Sequence, residues 1–301
     1  MKKPKRCTYC IMDNSSDETI SFDDKGECNY CSHAREIKDR VYFPNEIGEQ
    51  LLHKTVAKIK SDENGKPYDC VMGISGGLDS SYLAYIGYKC GLRILGVHVD
   101  DGFDTDISAA NIAKLADATN MQLEIVKPDL AQWHSLTKAY MEAGVPNIAI
   151  PQDNVTIAVI YEILKKYKLK YFLIGGNFAL ECILQRGNSH PYTDLTNIRA
   201  INDRFGHMAI DKLPLISDYS KRLDQVLYGI TTPRLLNYVD YNRDRAFSEL
   251  HDFCGFEYYG RKHLENKLTA FIQLYWFPKK FGVDKRTSHL SSMIASGQMM
   301  G

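Results

Sequence analysis

Apolar runs and amphipathic stretches alternate through the middle of the chain. Four apolar runs have the length and residue types of buried strands: YDCVMGI (68–74), RILGVHV (93–99), MQLEIVK (121–127) and KYFLIGG (170–176). Between them, apolar positions at helical spacing predict helices near 79–90, 106–119, 130–143 and 154–168. Because strands that are apolar throughout are typical of sheets buried on both sides, we predict an α/β fold: an open parallel sheet with helices on both faces.

The sequence on either side of this region has no strand pattern. From about residue 34 to 66 the spacing is helical, and SDENGKP (61–67) is typical of a turn or linker. Beyond about residue 177, helices are predicted near 196–205, 218–228, 243–253, 261–276 and 288–298. We therefore predict three parts: an N-terminal module with a helical connector (1–66), a sheet domain (67–215) and a C-terminal helical region (216–301).

Composition and charge narrow the class of protein. The chain has 301 residues, of which 44% are hydrophobic and 25% charged, as expected of a globular protein. Its formal net charge is +0, which disfavours nucleic acid as a partner, although a local basic patch would still permit it. No apolar run approaches the roughly 18 residues that cross a bilayer. The basic start MKKPKRCTYC lacks the apolar segment of a secretory signal, so we expect a cytoplasmic protein without membrane contact.

Four of the eight cysteines are crowded into the first tenth of the chain. Cys7 with Cys10 and Cys28 with Cys31 both have CxxC spacing, which in a cytosolic protein favours a metal over disulfides. Four thiolates at this spacing are typical of a closed, structural zinc site, and unligated thiols or a redox pair are the alternative. The remaining cysteines lie among apolar neighbours and are expected to be small core residues: Cys70, Cys90, Cys182 and Cys254.

The first strand leads into the stretch VMGISGGLDSSYLAY (71–85), which has two interpretations. Residues 73–77 fit the G-x-S-x-G elbow that presents a nucleophilic serine, here Ser75. The alternative is an anion cradle, in which Gly76 and Gly77 let backbone N–H groups approach a phosphate at the start of the next helix. The elbow is poorly supported, because hydrolase elbows follow earlier strands and this strand is the first convincing one.

The cradle accounts for more of the residues. Ser75 and Ser80 can donate to phosphate oxygens, and Asp79 can reach a magnesium ion. The loop lacks the lysine of a Walker A motif. It therefore suits holding the β,γ-pyrophosphate of ATP while the reaction occurs at the α-phosphorus.

The stretch SGGLDSS after a strand resembles the signature of the PP-loop ATP pyrophosphatase superfamily, which implies an adenine nucleotide alpha hydrolase-like fold. The wider combination of motifs resembles the N-acetyl sugar amidotransferase family of lipopolysaccharide, O-antigen and other surface amino-sugar biosynthesis: CTYCIMDN (7–14), GECNYC (26–31), GISGGLDSS (73–81), VHVDDG (97–102), IGGNFALE (174–181) and FPKKFGVDKRTSHLSSMIASGQM (277–299). The resemblance covers almost the whole chain. It departs from the family pattern at Phe103, where a tryptophan is expected, and residues 182–194 match no family pattern.

The resemblance implies that residues 67–215 are a PP-loop nucleotide-binding domain, with its ligands beyond the carboxyl ends of the strands. The implied ATP-binding residues are Gly73, Ser75, Gly76, Gly77, Asp79, Ser80, His98, Val99, Gly175 and Gly176, with the backbone at 98–99 framing the adenine. The implied contacts to substrate or magnesium are Asp100, Asp101, Gln152, Asp153, Asn177, Glu181 and Arg286. The catalytic residues would be Asp79, Lys280 and Lys285, the lysines by stabilising the leaving polyphosphate.

Ordinary structural roles are the alternative for several of these residues. A strand-to-helix turn would explain the glycines at 175–176, and caps of the next helix would explain the acids at 100–101. An N-cap would explain Asp153. The charge run 279–286 fits a solvated face beside a helix start at 287–288.

The implied activity is an ATP-dependent amidotransferase that converts an acetamido group of a sugar, expected to be nucleotide-linked, into an acetamidino group. The amide oxygen would attack the α-phosphorus of ATP, pyrophosphate would leave, and ammonia would displace AMP from the adenylyl imidate. ATP and Mg²⁺ are the implied cofactors beside structural zinc. Since no cysteine has a glutaminase-like context, ammonia is expected to come from elsewhere. The resemblance implies a separate glutamine amidotransferase with a cyclase-like subunit as its source.

Two other functions are left open by the sequence. A tRNA-thiolating or otherwise tRNA-modifying PP-loop enzyme would share the loop and often a zinc module. It would also predict a basic face and further cysteines near the adenylation site, and the neutral charge counts against it. A serine hydrolase would use Ser75 and would need no ATP.

Overall fold

Four parallel strands form the centre of the protein in the computed structural model, which describes residues 5–15, 17–260 and 264–299. The strands are β1 (Cys70–Gly73), β2 (Ile94–Val99), β3 (Gln122–Val126) and β4 (Phe172–Leu173). Their order in the sheet is β3-β2-β1-β4, and Val71 of β1 pairs with Leu95 on one side and Phe172 on the other. All four lie within the predicted runs, so the parallel sheet is confirmed.

Helices surround the sheet, and the first of them begins at Asn29, after the cysteine-bearing segment. They are α1 (Asn29–Val41), α2 (Glu46–Asp62), α3 (Leu78–Lys89), α4 (Asp106–Thr119), α5 (Leu130–Ala143), α6 (Ile150–Tyr167), α7 (Phe178–Glu181), α8 (Leu195–Phe205), α9 (Asp218–Tyr228), α10 (Arg243–Cys254), α11 (Lys267–Phe271) and α12 (Lys285–Ser296). A 3₁₀ turn (Leu235–Tyr238) precedes α10, and a π-helix (Ile272–Phe281) continues α11.

Most helices agree with the predicted stretches, and α6 differs in an informative way. It begins at Ile150 rather than at 154, because Pro151 suits the first turn of a helix, where a fixed φ is helical and no N–H is needed. The N-cap is Ala149, so the interpretation of Asp153 as an N-cap is wrong.

The C-terminal helices also differ from expectation. The start of α12 lies at Lys285 rather than at 287–288, because the carboxylate of Asp284 caps the helix by accepting from Arg286 N–H at 2.9 Å. Of the helix predicted over 261–276, residues 261–263 lie outside the described residues, and α11 begins at Lys267. The π-helix that follows includes Pro278.

Apolar layers cover both faces of the sheet. Because side chains alternate along a strand, Met72 faces one layer and Val71 the other. The first layer includes Leu83 of α3, and the second includes Leu136 of α5 and Val159 of α6. The prediction of helices on both faces is therefore confirmed, and the carboxyl ends of the strands are left between the two layers.

The N-terminal module and α12 pack on each other. Lys38 of α1 donates to the carbonyl of Ser296 at 3.1 Å, where a cation complements the C-terminal end of a helix. The same helix, α12, also contacts the end of α7, where the thiol of Cys182 donates to the carbonyl of Ser292 at 3.6 Å.

The predicted domain boundaries, 1–66, 67–215 and 216–301, stay a prediction. Within the described ranges, no helix is both long enough and apolar enough to cross a membrane.

Candidate functional site

The loop after β1 makes a tight turn into α3. Gly76 has a φ of +72°, and a Cβ at this position would lie 2.4 Å from the carbonyl oxygen of Ser108, so the turn requires glycine. Gly77 is the N-cap of α3 and offers no capping side chain. Amides at a helix start without a side-chain cap are the groups that bind anions. One of them, Leu78 N–H, donates to the hydroxyl of Tyr259 at 2.8 Å.

The surroundings of Ser75 disfavour a nucleophile. Its hydroxyl lies 3.2 Å from the Ser80 hydroxyl and accepts from Gly77 N–H at 3.2 Å. Neither group is a base that could take a proton from the serine. Two hydroxyls side by side at a helix start instead present donors to one anion.

A cavity of about 410 Å³ opens over this turn, and we call it the loop cavity. Its lining combines predicted residues with others that the sequence did not single out: Ser75, Gly77, Leu78, Asp79, Ser80, Asp153, Ile174, Gly175, Gly176, Leu180, Glu181, Arg243, Tyr258, Tyr259 and Glu265. The structure thus brings the loop, the end of β4 and the start of α6 together. Gly73 and Gly76 shape the turn without lining the cavity.

The strand order explains why Gly175 meets the loop. Since β4 is the neighbour of β1, their carboxyl ends lie side by side. A Cβ on Gly175 would lie 3.0 Å from backbone atoms of Asp79 and Ser80, so this glycine lets α3 approach the end of β4. Asn177, two residues further on, is buried and caps α7 by accepting from Leu180 N–H at 2.9 Å. It does not line the loop cavity, and its capping bond gives it a structural role.

Acidic side chains dominate the cavity wall. Asp79 accepts a hydrogen bond from the hydroxyl of Tyr241, which burial keeps protonated by raising its pKa. The side chain of Asp153 is exposed to the cavity, yet desolvation by the protein around it raises the pKa of that carboxyl to about 6, against the opposing charge of Lys285. Glu181 lies on the same wall. These acids could reach a magnesium ion together with phosphate oxygens, although among the described residues they do not converge closely enough to enclose one alone.

Asp101 and Gln152 do not line the loop cavity. Asp101 is buried and accepts from Phe103 N–H at 2.9 Å, from the Asn266 amide at 3.0 Å and from the Gln152 amide. Burial raises the pKa of Asp101, and these donors oppose the increase. Neither Asp101 nor Asp100 caps α4, whose N-cap is Thr105, so that alternative is wrong.

Asp100 and His98 are also held by protein partners. Asp100 pairs with Lys127 at 2.9 Å, and this contact lowers the pKa of the carboxyl. His98 Nδ1 lies 2.9 Å from the carbonyl oxygen of Ile74, and Nε2 lies 2.8 Å from Asp104 Oδ2. Burial opposes protonation of His98, but its bonds to Asp104 and Ile74 outweigh burial and raise its pKa. The role of the backbone at 98–99 as an adenine frame stays a prediction.

The predicted cations lie in two different places. Lys280 is exposed, with Nζ 4.3 Å from the Trp276 ring centroid and beside Gly144, away from the loop cavity. Lys285 and Arg286 line a second cavity of about 630 Å³, which we call the α12 cavity. Burial lowers the pKa of Lys285. The two cavities share part of their wall: Leu180, Arg243 and Tyr258.

The four clustered cysteines form a compact, buried group. The sulfur atoms of Cys7, Cys10, Cys28 and Cys31 all lie within 4.8 Å of one another, with Cys10 and Cys28 at 3.8 Å. A tetrahedral ion with Zn–S bonds of about 2.3 Å places sulfurs roughly 3.8 Å apart. A four-iron cluster would bind each sulfur to a different iron and hold them farther apart. The geometry therefore fits one metal ion.

Hydrogen bonds to the sulfurs support metal binding. Cys28 N–H donates to Cys7 Sγ at 3.2 Å, and Met12 N–H donates to Cys10 Sγ at 3.4 Å. Bonds from the thiols of Cys28 and Cys31 lower the pKa of Cys10, which favours a thiolate, the form that binds metals. Of the other four cysteines, Cys70 is fully buried, as expected of a core residue. Cys90, Cys182 and Cys254 are half-buried.

Sequence reasoning missed several residues of the loop cavity. Arg243 and Glu265 come from segments far from the motif, and no local pattern marks them. Tyr258 and Tyr259 belong to the aromatic stretch FEYYG (256–260), which is the one signal that could have indicated them. Their place depends on how α10 and the segment after it pack against α3.

Comparison with known proteins finds a family model that matches the C-terminal segment beside this site. Residues 265–300 match the family model described as LPS biosynthesis protein WbpG-like, C-terminal domain. This match confirms the resemblance to proteins of lipopolysaccharide biosynthesis at the segment that supplies Glu265, α11, the π-helix and α12. No curated protein matches the chain.

Solved structures that match the chain include two synthetases and a tRNA thiolase. One is NMN synthetase from Francisella tularensis, with 11% identity over 68% of this chain and 92% of that chain and a TM-score of 0.35. NH3-dependent NAD synthetase from Campylobacter jejuni has 13% identity over 75% of this chain and 96% of that chain, at a TM-score of 0.35. U34-tRNA thiolase NcsA from Methanococcus maripaludis, a structure with a [4Fe-4S] cluster, has 12% identity over 99% of this chain and 88% of that chain, at a TM-score of 0.37. At these values the likeness carries no argument about activity.

Proposed function

We propose that this protein is an ATP-dependent, AMP-forming amidotransferase that converts an acetamido group of a sugar, most simply a nucleotide-linked one, into an acetamidino group. The observation that carries the proposal is the position of the segment matched by the WbpG-like domain. It lines the α12 cavity, which adjoins the loop cavity built on SGGLDSS. A nucleotide site and an acceptor site side by side are what an adenylating enzyme needs.

The reaction balances without a protein nucleophile. The amide oxygen of the sugar attacks the α-phosphorus of ATP, and the bond to the β-phosphate oxygen breaks to release pyrophosphate. Ammonia then adds to the imidate carbon, AMP leaves with the former amide oxygen, and a proton is lost to give the amidine. The protein supplies position and charge stabilisation.

The residues of the loop cavity have complementary tasks in this proposal. The amides at the start of α3 and the hydroxyls of Ser75 and Ser80 bind the β,γ-phosphates. Asp79, with Asp153 or Glu181, would hold Mg²⁺, which neutralises charge on the phosphates when bound. Lys285 faces the neighbouring cavity, whereas Lys280 lies elsewhere and takes no part.

Further parts of the proposal follow from the same chemistry. Zinc is the metal that best suits four buried cysteines around one ion, and its role is structural. Ammonia comes from a separate glutamine amidotransferase with a cyclase-like subunit, in the cytoplasm, where ATP is available. The proposal includes no nucleic-acid or membrane partner.

The test is incubation of the full chain with ATP, Mg²⁺, an ammonium salt and a panel of nucleotide-linked acetamido sugars. The ammonium salt replaces the partner subunits. We expect sugar-dependent AMP and pyrophosphate, and a sugar whose mass changes by the exchange of O for NH. Release of ADP, or turnover only with tRNA and a sulfur donor, would overturn the proposal in favour of another phosphate-transfer or a tRNA-modifying reaction. Labelling of Ser75 by an organophosphonate would indicate a hydrolase.

A further inference from the structure

Carboxyl groups are numerous in the described lining of the loop cavity. Four carboxylates line it: Asp79, Asp153, Glu181 and Glu265. Among the described lining residues, Arg243 is the one cation. An ATP tail needs positive charge near its phosphates in addition to magnesium and backbone amides. Arg243 is therefore the described lining residue that is placed to supply this charge. Lys285 acts on Asp153 from the neighbouring cavity, and Arg234 Nη1 would lie 3.6 Å from a Cβ on Gly176.

The position of Arg243 is set by its helix and by a tyrosine. It is the first residue of α10, whose N-cap Asn242 accepts from two amides of the first turn, which fixes where the helix begins. The guanidinium donates to the hydroxyl of Tyr258 and lies 5.4 Å from the centroid of that ring. Contact with an aromatic ring holds a guanidinium in place while its remaining N–H groups stay available.

Arg243 also lies where the two cavities meet, since it lines both of them. The cations predicted from the sequence do not share this position. Lys280 is exposed beside Trp276, and Lys285 lines only the α12 cavity. A guanidinium offers two parallel N–H donors to one phosphate, which suits a group at the border between nucleotide and acceptor.

We propose that Arg243 binds the phosphates of the nucleotide in the loop cavity and holds them against the acceptor in the α12 cavity. It takes the role that the sequence suggested for Lys280. The inference rests on the proposed function only in identifying the anion as ATP, because the position and charge of Arg243 do not depend on the reaction.

The test measures binding by isothermal titration calorimetry with the full chain and three probes: inorganic pyrophosphate, MgATP and adenosine. We expect Arg243→Met to weaken pyrophosphate and MgATP roughly ten- to a hundredfold, as for lost hydrogen bonds to a charged group. Adenosine binding should stay unchanged, which a general loss of structure would not allow. Arg243→Lys keeps the charge without the paired donors, so its affinity for pyrophosphate and MgATP should lie between those of the wild type and the methionine variant. It replaces the methionine variant in the test if that variant does not fold.

Arg245→Met is the matched control. Arg245 is on the same helix but pairs with Asp240 at 3.0 Å and lines neither cavity, so its variant should bind all three probes normally. Normal pyrophosphate affinity in both Arg243 variants, or an equal loss in the Arg245 variant, would overturn the inference. If Arg243 proves necessary for MgATP but no acetamido sugar is ever consumed, the proposed function fails while the assignment of Arg243 stands. A wild-type chain that binds neither pyrophosphate nor MgATP would refute both.

Discussion

Asp79 is the residue on which the proposed chemistry depends most directly. We expect Asp79→Asn to reduce sugar-dependent AMP release by at least about a hundredfold, because a neutral amide cannot hold magnesium against the phosphates. Metal content at the cysteines and circular dichroism should be unchanged. Tyr241→Phe removes the hydroxyl that donates to Asp79 but leaves its charge, so its effect should be smaller. Unchanged turnover in the asparagine variant would exclude Asp79 from the mechanism.

Gly76 and Gly65 form a matched pair that separates backbone strain from steric overlap. Both have positive φ, +72° and +81°, but a Cβ on Gly65 would meet nothing within 4 Å. We expect Gly65→Ala to cost about 1–2 kcal/mol of unfolding free energy from its left-handed backbone alone. Gly76→Ala should cost about 1–3 kcal/mol more, because its Cβ overlaps the backbone of Ser108. Urea denaturation measures both values, and equal losses would contradict the requirement for glycine in the turn.

Asp153 predicts a pH dependence of stability. Its pKa rises from 3.8 to about 6 on folding, so between these values the folded protein holds a proton that the unfolded chain releases. Stability is therefore lost as the pH rises through this window, and the cost is fully present above it. Because the side chain is exposed, water reduces the effect, so we expect Asp153→Asn to be slightly more stable than the wild type at neutral pH, and the difference to vanish below pH 3.8. Denaturation curves across this range check the sign, and a wild type that is the more stable at neutral pH would contradict it.

At the scale of elements, periodicity predicted the strands and the long helices because buried faces repeat along them. The four-residue α7 was missed, and the helix predicted over 261–276 includes only the first half of the π-helix. The site was predicted where one loop carries it, at Ser75–Ser80. It was missed where distant segments converge, as for Arg243 and Glu265, because no local pattern encodes which helix crosses the loop.

The cysteine module makes an element-level prediction about α12. We expect the full chain to contain one metal ion, and Cys10→Ser to lose it and to lower the unfolding temperature, since α1 packs on the end of α12 through Lys38. Cys254→Ser is the control, because this half-buried thiol lies outside the cluster. Metal analysis with thermal unfolding, with and without a chelator, measures the effect. A metal-free wild type with the same unfolding temperature would contradict a structural role.

At the scale of the whole molecule, the predicted central domain shares its interior with the flanking parts. Tyr82 of α3 packs on Tyr241 with ring centroids 5.4 Å apart, and Phe178 N–H donates to the Asn237 side chain at 2.7 Å. We expect a fragment of residues 67–215 to unfold without cooperativity in urea, because these buried groups would face water. Cooperative unfolding of the fragment at the midpoint of the full chain would show that the domain is independent.

The bonds of Asp101 to Gln152 and Asn266 tie together three stretches that are far apart in sequence. These three side chains do not line the loop cavity, whereas the adjacent Asp153 and Glu265 do. In a survey that scores every substitution by growth or turnover, these positions would be as intolerant as those that meet the nucleotide. Intolerance to substitution alone would therefore not distinguish a structural residue from a catalytic one. Only ligand affinities measured on the folded variants would tell the two apart.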